Sequence, residues 1–287
     1  PWTMTVLRTD SIDEPEVRRA LSMFVDPTHH VQIQSLPSGR WKQIPGRDLG
    51  ELVRAVSDFS DEKGVYLSLN PFAGALERPL RSSDISCRRW FLIDPDAIKP
   101  GEKDASTTDA EKEQSRIVTE AVRDFLRARG WPDPIFVDSG NNWQLLYRVD
   151  FPNDKLSQQL LSKSLKVLGE RFDTPGVKLD KGVHDAKRIC KIPGTMVRKG
   201  ENTAERPWRM ARLISVPVAL TAVSAELIKE LAGLPLEAEA IATAAPPSPP
   251  TVNPWAVPVG ARSQPPAAQS HFPRQTGSGA PAPHPSP

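Results

Sequence analysis

A capped helix followed by two short strands is the feature that most limits how this chain can fold. Thr108 and Glu111 form a capping-box pattern, and Gly130 is typical of a helix end. Residues 135–137 and 144–149 then carry strand-like apolar runs on either side of a turn-rich segment. Helices combined with such a hairpin predict an α+β fold around an antiparallel or mixed sheet.

Apolar periodicity extends this pattern along the rest of the domain. Further helices are predicted near residues 15–24, 49–59, 154–172 and 224–231, and further strands at 65–69, 90–93, 188–192 and 208–214. We find no internal repeat. The sequence therefore predicts one α+β domain, to which we assign residues 1–235.

The composition changes abruptly at Pro246. Residues 246–287 hold 13 prolines among 42 residues and no acidic side chain. Such a segment buries too little apolar surface to offset its chain entropy. We therefore predict that residues 236–287 are a disordered tail or linker.

Charge, hydropathy and cysteine content narrow the possible settings. Lys and Arg number 37 against 35 for Asp and Glu, so any basic surface must be local. No apolar run approaches the roughly 20 residues of a membrane span, and we expect no membrane association. The two cysteines, Cys87 and Cys190, are too few for a four-cysteine zinc site, and we expect buried free thiols. This predicts a reducing, cytoplasmic setting.

The residues 91–96 carry the strongest chemical signal. On a strand, Asp94 and Asp96 would point to the same side. Two neighbouring carboxylates repel each other unless a cation lies between them, and Mg²⁺ and Mn²⁺ take oxygen ligands. The same residues are also compatible with a simple turn after a strand, and this string alone leaves both interpretations open.

The turn at residues 138–144 is a candidate phosphate-binding segment. Its small residues expose backbone N–H groups, and Ser139 adds a hydroxyl, a combination that can surround phosphate oxygens. An ordinary hairpin turn would show the same residues.

A basic segment follows between residues 179 and 200. Asp180 is a candidate third carboxylate, while Arg188, Lys191, Arg198 and Lys199 could contact a triphosphate or a nucleic-acid backbone. The alternative is a solvated basic surface. Arg188 and Lys191 are three positions apart, so they serve one site only if the strand twists, bulges or ends between them.

These motifs, taken in order, resemble the archaeo-eukaryotic-type primase-polymerase domains of phage and plasmid replication proteins. The matching segments are residues 65–71, 88–94, 108–111, 130–132, 138–141, 145–148, 188–195 and 198–200. Their common order makes the resemblance more specific than any single motif. It implies a palm built like an RNA-recognition motif, with a small α/β unit packed on it.

The resemblance also implies roles by position. Asp94 and Asp96 match the paired metal-binding carboxylates, and Asp180 matches the third acidic residue. Contacts to the incoming nucleotide fall on Ser139, Arg188 and Lys191, with Lys199 a weaker match. Gln144 stands where many relatives have a histidine that contacts the phosphates; glutamine can donate a hydrogen bond but carries no charge.

The implied activity is template-directed nucleotidyl transfer, as a DNA primase, a DNA polymerase or both. It would use two Mg²⁺ or Mn²⁺ ions and no zinc, with single-stranded DNA and nucleoside triphosphates as partners. A phage or plasmid replicon would supply the setting, and the tail could contact a helicase or another replication protein.

Two other functions remain open. One is a nucleic-acid-binding replication module that has lost catalysis, which Gln144 favours. The other is a glycosyltransferase, since such enzymes also place an Asp-x-Asp metal motif after a strand.

Overall fold

The computed structural model describes residues 12–99, 101 and 104–234, and the predicted tail at 236–287 lies outside these residues. The helices are α1 (Glu14–Phe24), α2 (Leu49–Asp58), α3 (Asp109–Arg127), α4 (Lys155–Phe172) and α5 (Ala225–Gly233). The strands are β1 (His30–Leu36), β2 (Trp41–Pro45), β3 (Gly64–Ser68), β4 (Cys87–Ile93), β5 (Pro95–Ala97), β6 (Ile135–Asp138), β7 (Trp143–Pro152), β8 (Val177–Leu179), β9 (Ile189–Lys191), β10 (Met196–Val197), β11 (Arg209–Met210) and β12 (Arg212–Ser215).

One sheet has the strand order β2-β1-β3-β9, with every neighbouring pair antiparallel. Helices α1 and α2 contact each other, and α2 also contacts β1 and β2. This sheet and its two helices form the small α/β unit that the sequence resemblance implies. Its fourth strand, β9, comes from late in the chain.

The second sheet has the order β12-β6-β7-β4, again antiparallel. Directly after β4, strand β5 pairs with β8 as a separate two-stranded ladder. Read along the chain, β4 and β5, then α3, β6, β7, α4 and β8 give a β-α-β-β-α-β order. The predicted α+β fold with a palm of this type is confirmed.

Local capping explains where the helices begin. The side chains of Asp13, Asp48, Thr108, Asp154 and Ser224 each accept a hydrogen bond from a backbone N–H in the first turn. At α3 the predicted capping box is complete, because Glu111 also accepts from the Thr108 N–H. Gly130 follows α3 with a φ of 81°, the left-handed conformation that glycine adopts freely.

The apolar faces of both sheets and all five helices meet in one continuous core. Within it, Trp131 packs edge-on against Tyr147 at 5.1 Å between ring centroids. Because this core is shared, each sheet holds the other in position, and the polar ends of their strands face a common space.

Several sequence predictions need correction. Strands β1, β2, β5, β8 and β10 were not predicted, and the single strand expected over 208–214 is divided between β11 and β12, which lie in different sheets. Cys190 is buried as expected, but Cys87 is partly exposed; both are free thiols. Among the described residues, none of the helices is both long and apolar enough to cross a membrane.

Candidate active site

A cavity of about 260 Å³ lies between the two sheets. One wall comes from the first sheet and the other from the second, where β4 ends and β7 begins. Its lining residues are Leu36, Tyr66, Asp94, Asp96, Ser139, Asn141, Asn142, Gln144, Arg188, Ile189, Lys191, Val197 and Lys199. Seven of the nine candidate residues named from the sequence therefore line one cavity, and Asp180 lies beside it. Arg198 does not line it, and its guanidinium donates to the carbonyls of Ser60 and Glu62.

Asp94 is the most buried carboxylate of this cavity. It occupies the single position between β4 and β5, and only 9% of its surface is exposed. Its Oδ1 is buried, and in the described part of the chain no group hydrogen-bonds to it. Burial and the nearby charge of Asp96 raise the pKa of Asp94, while a hydrogen bond from the Gln144 side chain acts in the opposite direction.

Asp96 lies two residues beyond Asp94, in β5, and keeps access to solvent. Its Oδ1 accepts a hydrogen bond from Asn142 Nδ2 at 2.5 Å. Partial burial raises the pKa of Asp96, and the positive charge of Lys199 opposes this rise. Both carboxylates line the cavity, and because the charge of Asp96 raises the pKa of Asp94, the two repel each other.

Asp180 is joined to Asp94 through the main chain, since the Asp180 N–H donates to the Asp94 carbonyl at 2.9 Å. Its side chain is already engaged. Oδ2 accepts from Arg188 at 2.5 Å, and Oδ1 accepts from the Gly182 N–H at 2.7 Å. The negative charge of Asp180 also contributes to the raised pKa values of Asp94 and Asp96.

Arg188 and Lys191 both reach the cavity because the strand begins between them. Arg188 precedes β9, so the alternation of side chains along the strand does not apply to it. Of the three strand conditions that the sequence left open, a strand boundary between the two residues is therefore the one that the structure shows.

Lys191 is buried, with 3% of its surface exposed. Its Nζ donates to the Met196 carbonyl at 3.0 Å and lies 5.2 Å from the centre of the Tyr66 ring. Burial, reinforced by the charges of Arg198 and Lys199, lowers the pKa of Lys191 to about 7. An anion entering the cavity would reverse this unfavourable accumulation of positive charge.

The turn at 138–142 gives the cavity its polar rim. Gly140 has a φ of 92°, and a Cβ there would come within 2.5 Å of Val197 Cγ2, so glycine is required both by conformation and by space. The Ser139 hydroxyl donates to the Asn142 carbonyl at 2.9 Å and accepts from the Asn142 N–H at 3.2 Å. Ser139 therefore stabilises the turn in addition to lining the cavity.

Gln144 lies at the start of β7 and is buried beside Asp94. Its side-chain amide supplies the hydrogen bond that lowers the Asp94 pKa, and its Oε1 lies 3.6 Å from the Cys190 thiol. Gln144 thus hydrogen-bonds to the Asp94 carboxylate and also lines the cavity.

The carboxylates suit a hard divalent cation. Asp94 offers a buried oxygen without a partner, Asp96 shares the cavity, and carboxylate oxygens are the preferred ligands of Mg²⁺ and Mn²⁺. Within residues 12–99, 101 and 104–234, no three His, Cys, Asp or Glu side chains are grouped in a way that could hold a metal ion. The carboxylate of Asp180 is directed to the guanidinium of Arg188 instead.

Six lining residues were not among the predicted site residues, and three of them are polar: Tyr66, Asn141 and Asn142. Tyr66 was part of a segment that carried the resemblance, but a tyrosine within an apolar strand gives no sign of a site. Asn141 and Asn142 belonged to the predicted phosphate-binding turn. Two successive asparagines in that turn are the one signal that could have found them.

A scan against protein-family models finds no match, and a search of the curated proteins finds none either. Among solved structures, the chain is similar to the primase RepB′, with 13% identity and a TM-score of 0.46 over 80% of this chain and 64% of that one. It is also similar to the catalytic domain of RepB′ in complex with initiator DNA, with 12% identity and a TM-score of 0.42 over 80% and 97% of the two chains. A third similar structure is the polymerase domain of Mycobacterium tuberculosis Ligase D in complex with DNA, with 14% identity and a TM-score of 0.44 over 78% and 88%.

Proposed function

We propose that this protein is a metal-dependent nucleotidyl transferase that joins nucleotides on a single-stranded DNA template, as a primase, a polymerase or both. The observation that carries the proposal is the composition of one cavity. A pair of mutually repelling carboxylates, one with an unpartnered buried oxygen, lies in the same cavity as Arg188, Lys191 and Lys199. Carboxylates suit divalent ions and the cations suit a triphosphate, and nucleotidyl transfer requires both.

The negative and the positive side chains of the cavity would have different roles. Asp94 and Asp96 would hold the divalent ions, with Asp180 joining them once its ion pair with Arg188 opens. When bound, Mg²⁺ or Mn²⁺ would lower the pKa of the attacking hydroxyl and neutralise charge on the leaving pyrophosphate. Arg188, Lys191 and Lys199 would orient the triphosphate for in-line attack, so that positioning and charge supply most of the rate.

The setting that we propose is replication of a phage or plasmid. This part rests on the ordered motifs between residues 65 and 214, which resemble the primase-polymerase domains of such elements. Single-stranded DNA and nucleoside triphosphates are the proposed partners.

The test is nucleotide incorporation on a single-stranded template, with and without a primer and with Mg²⁺ or Mn²⁺. We expect incorporation by the wild-type protein and none by Asp94→Ala or Asp96→Ala, at unchanged folding judged by circular dichroism. Asp185→Ala is the matched control, because this carboxylate lies outside the cavity. Wild-type incorporation by the Asp94→Ala, Asp96→Ala double variant would show that these carboxylates are not catalytic.

A non-catalytic DNA-binding module is the second candidate, and the ion pair between Asp180 and Arg188 favours it. That ion pair balances the charge of the Asp180 carboxylate without a metal ion and keeps this carboxylate from the cavity. DNA binding with no incorporation under either metal would select this candidate. Turnover of a sugar nucleotide would instead select the glycosyltransferase that the Asp-x-Asp motif leaves open.

A further inference from the structure

Asn141 carries a polar group that the fold leaves unused. The side chain is 4% exposed, and it lines the cavity that holds Asp94 and Asp96. Its Nδ2 is buried and has no hydrogen-bond partner among the residues that the structure describes. A buried donor without an acceptor costs free energy, so such a group in a native cavity points to a missing partner.

The other end of the same amide is fixed. Asn141 Oδ1 accepts from the Thr107 N–H at 3.2 Å, and the Asn141 carbonyl accepts from Thr107 Oγ1 at 2.8 Å. Thr107 is itself held, since its carbonyl accepts from Arg209 at 2.7 Å. The amide therefore cannot turn round without losing the bond from the Thr107 N–H, and Nδ2 is the end of this cavity-lining amide that is left without a partner in the described residues.

The neighbouring asparagine is instead engaged at both ends of its amide. Asn142 donates through Nδ2 to Asp96 and accepts through Oδ1 from the Ala97 N–H at 3.1 Å. Asn142 thus positions a carboxylate, whereas the amide of Asn141 retains both of its N–H donors for a ligand.

An N–H donor selects the chemistry of that ligand. The Asn141 side chain is not suited to bind a metal ion, because Nδ2 has no free lone pair and Oδ1 already accepts from Thr107. An oxygen acceptor is required, and the cations that share the cavity, Arg188, Lys191 and Lys199, favour an anionic one.

We infer that Asn141 binds the nucleotide directly, donating from Nδ2 to a phosphate oxygen of the incoming nucleoside triphosphate. This inference rests on the proposed function. It adds an uncharged side chain that binds phosphate beside the cations Arg188, Lys191 and Lys199. A donor held in advance by Thr107 needs little reordering when the phosphate arrives.

Two variants separate binding from structure. Asn141→Asp keeps an oxygen for Thr107 but removes the donor and adds a negative charge. Asn141→Ala removes the donor without adding charge and also leaves the Thr107 N–H unpaired. Calorimetric titrations with inorganic triphosphate, ATP and dATP, each with Mg²⁺, would be compared with melting temperatures.

We expect both variants to bind all three ligands about tenfold or more weakly, the effect of losing a hydrogen bond to a charged acceptor. Both should melt lower, Asn141→Ala because the Thr107 N–H is unpaired and Asn141→Asp because a carboxylate is buried in the cavity of Asp94 and Asp96. The two variants disturb the structure differently, so an equal loss of binding in both reports on the donor. Weaker binding by Asn141→Asp alone would reflect charge repulsion, and weaker binding by Asn141→Ala alone would reflect a structural role; either overturns the inference. A loss confined to ATP and dATP would place the contact on the nucleoside and overturn it too. If the wild-type protein binds none of the three, the proposed function fails, whereas wild-type affinity in both variants removes only Asn141.

Discussion

Asn142 fixes Asp96 by a 2.5 Å hydrogen bond from its Nδ2 to the carboxylate, while its Oδ1 accepts from the backbone next to that carboxylate. The hairpin turn between β6 and β7 therefore holds the end of β5. In this way a segment predicted to bind phosphate also sets the position of a predicted metal ligand. The two predicted functions of the site are coupled through one amide.

Replacing Asp94 by asparagine should stabilise the protein in the absence of metal. The pKa of Asp94 in the folded state is raised, so its contribution to stability is complete at acid pH and is lost as pH rises through the raised value. Asp94→Asn removes this loss. We expect its melting temperature to exceed that of the wild type by about 2 °C or more at pH 8 in EDTA, the shift that ~1 kcal/mol gives in a domain of this size.

Thermal melts between pH 4.5 and 8.5 in EDTA would measure this difference, which should grow with pH. Asp185→Asn, outside the cavity, is the control. A constant difference across this range would mean that the Asp94 carboxylate is not destabilised in the folded protein.

Replacing Gln144 should affect the use of nucleotide and metal more than stability. A lost hydrogen bond to a charged group corresponds to about 1.5–3 kcal/mol, so Gln144→Ala should lower kcat/KM for nucleotide by roughly tenfold or more. Because Gln144 lowers the pKa of Asp94, the variant should also need more Mn²⁺ at pH 6 than at pH 8. Gln144→His should stay active and become more dependent on pH between about 5 and 8.

Cys190→Ala is the matched control, since it removes the other neighbour of the Gln144 amide and leaves Asp94 untouched. Should Gln144→Ala melt lower while its Michaelis constants for nucleotide and metal stay at wild-type values, Gln144 would have only a structural role.

Much of the fold follows from local sequence, but the site does not. The start of α3 is encoded by Thr108 and Glu111 themselves, and the predicted capping box is present. Strand β1 was missed although Val31 and Ile33 alternate with Gln32 and Gln34, a pattern that would have revealed it. The alternation is less clear in the structure, because Gln32 is buried as well.

The candidate site depends on contacts that no local pattern encodes. Arg188 reaches the cavity because β9 begins at Ile189 and pairs with β3, more than a hundred residues earlier. The engagement of Asp180 by Arg188 is likewise invisible in the sequence, where both residues read only as charges in a basic segment. Such placements are set by tertiary pairing rather than by residue type.

Binding of a nucleotide should draw a proton onto Lys191. Burial and the charges of Arg198 and Lys199 lower its pKa to about 7, so above this pH the free protein holds Lys191 largely neutral. A triphosphate would raise the pKa towards its ordinary value, and we expect uptake of close to one proton at pH 8 but little at pH 6. Titration calorimetry in buffers of different ionisation enthalpy measures this uptake.

Lys191→Met should abolish the uptake, whereas Lys199→Met should keep a smaller one, because loss of the Lys199 charge raises the pKa of Lys191. The stability gain of Lys191→Met over the wild type should be largest below pH 7, where the wild-type protein buries a charged lysine. The gain should shrink as pH rises above 7, because the folded lysine is then neutral and only the unfolded one stays protonated. Equal proton uptake by the wild type and Lys191→Met would assign the proton to another group.

Removing Arg188 should have opposite effects on metal and nucleotide. Arg188→Met frees Asp180 Oδ2 and removes a cation near Asp94 and Asp96, so the Mn²⁺ concentration for half-maximal activity should fall. The Michaelis constant for nucleotide should rise about tenfold or more, since a charged phosphate contact is lost. Kinetics as a function of both concentrations would separate the effects, with Lys187→Met as the control; a parallel rise in both constants would contradict this division.

The position of β9 also has a consequence for synthesis. β1, β2 and β3 are complete by residue 68, but the strand that finishes their sheet begins at Ile189. A chain emerging from the ribosome therefore carries β3 with one unpaired edge until three strands of the second sheet, β4, β6 and β7, have followed. Such an edge is a template for pairing with other chains, which makes this interval the stage most exposed to aggregation. Strand β9, which closes this edge, brings Lys191 into place, and Arg188 directly precedes the strand. The cavity therefore receives these two charges only as the first sheet is completed.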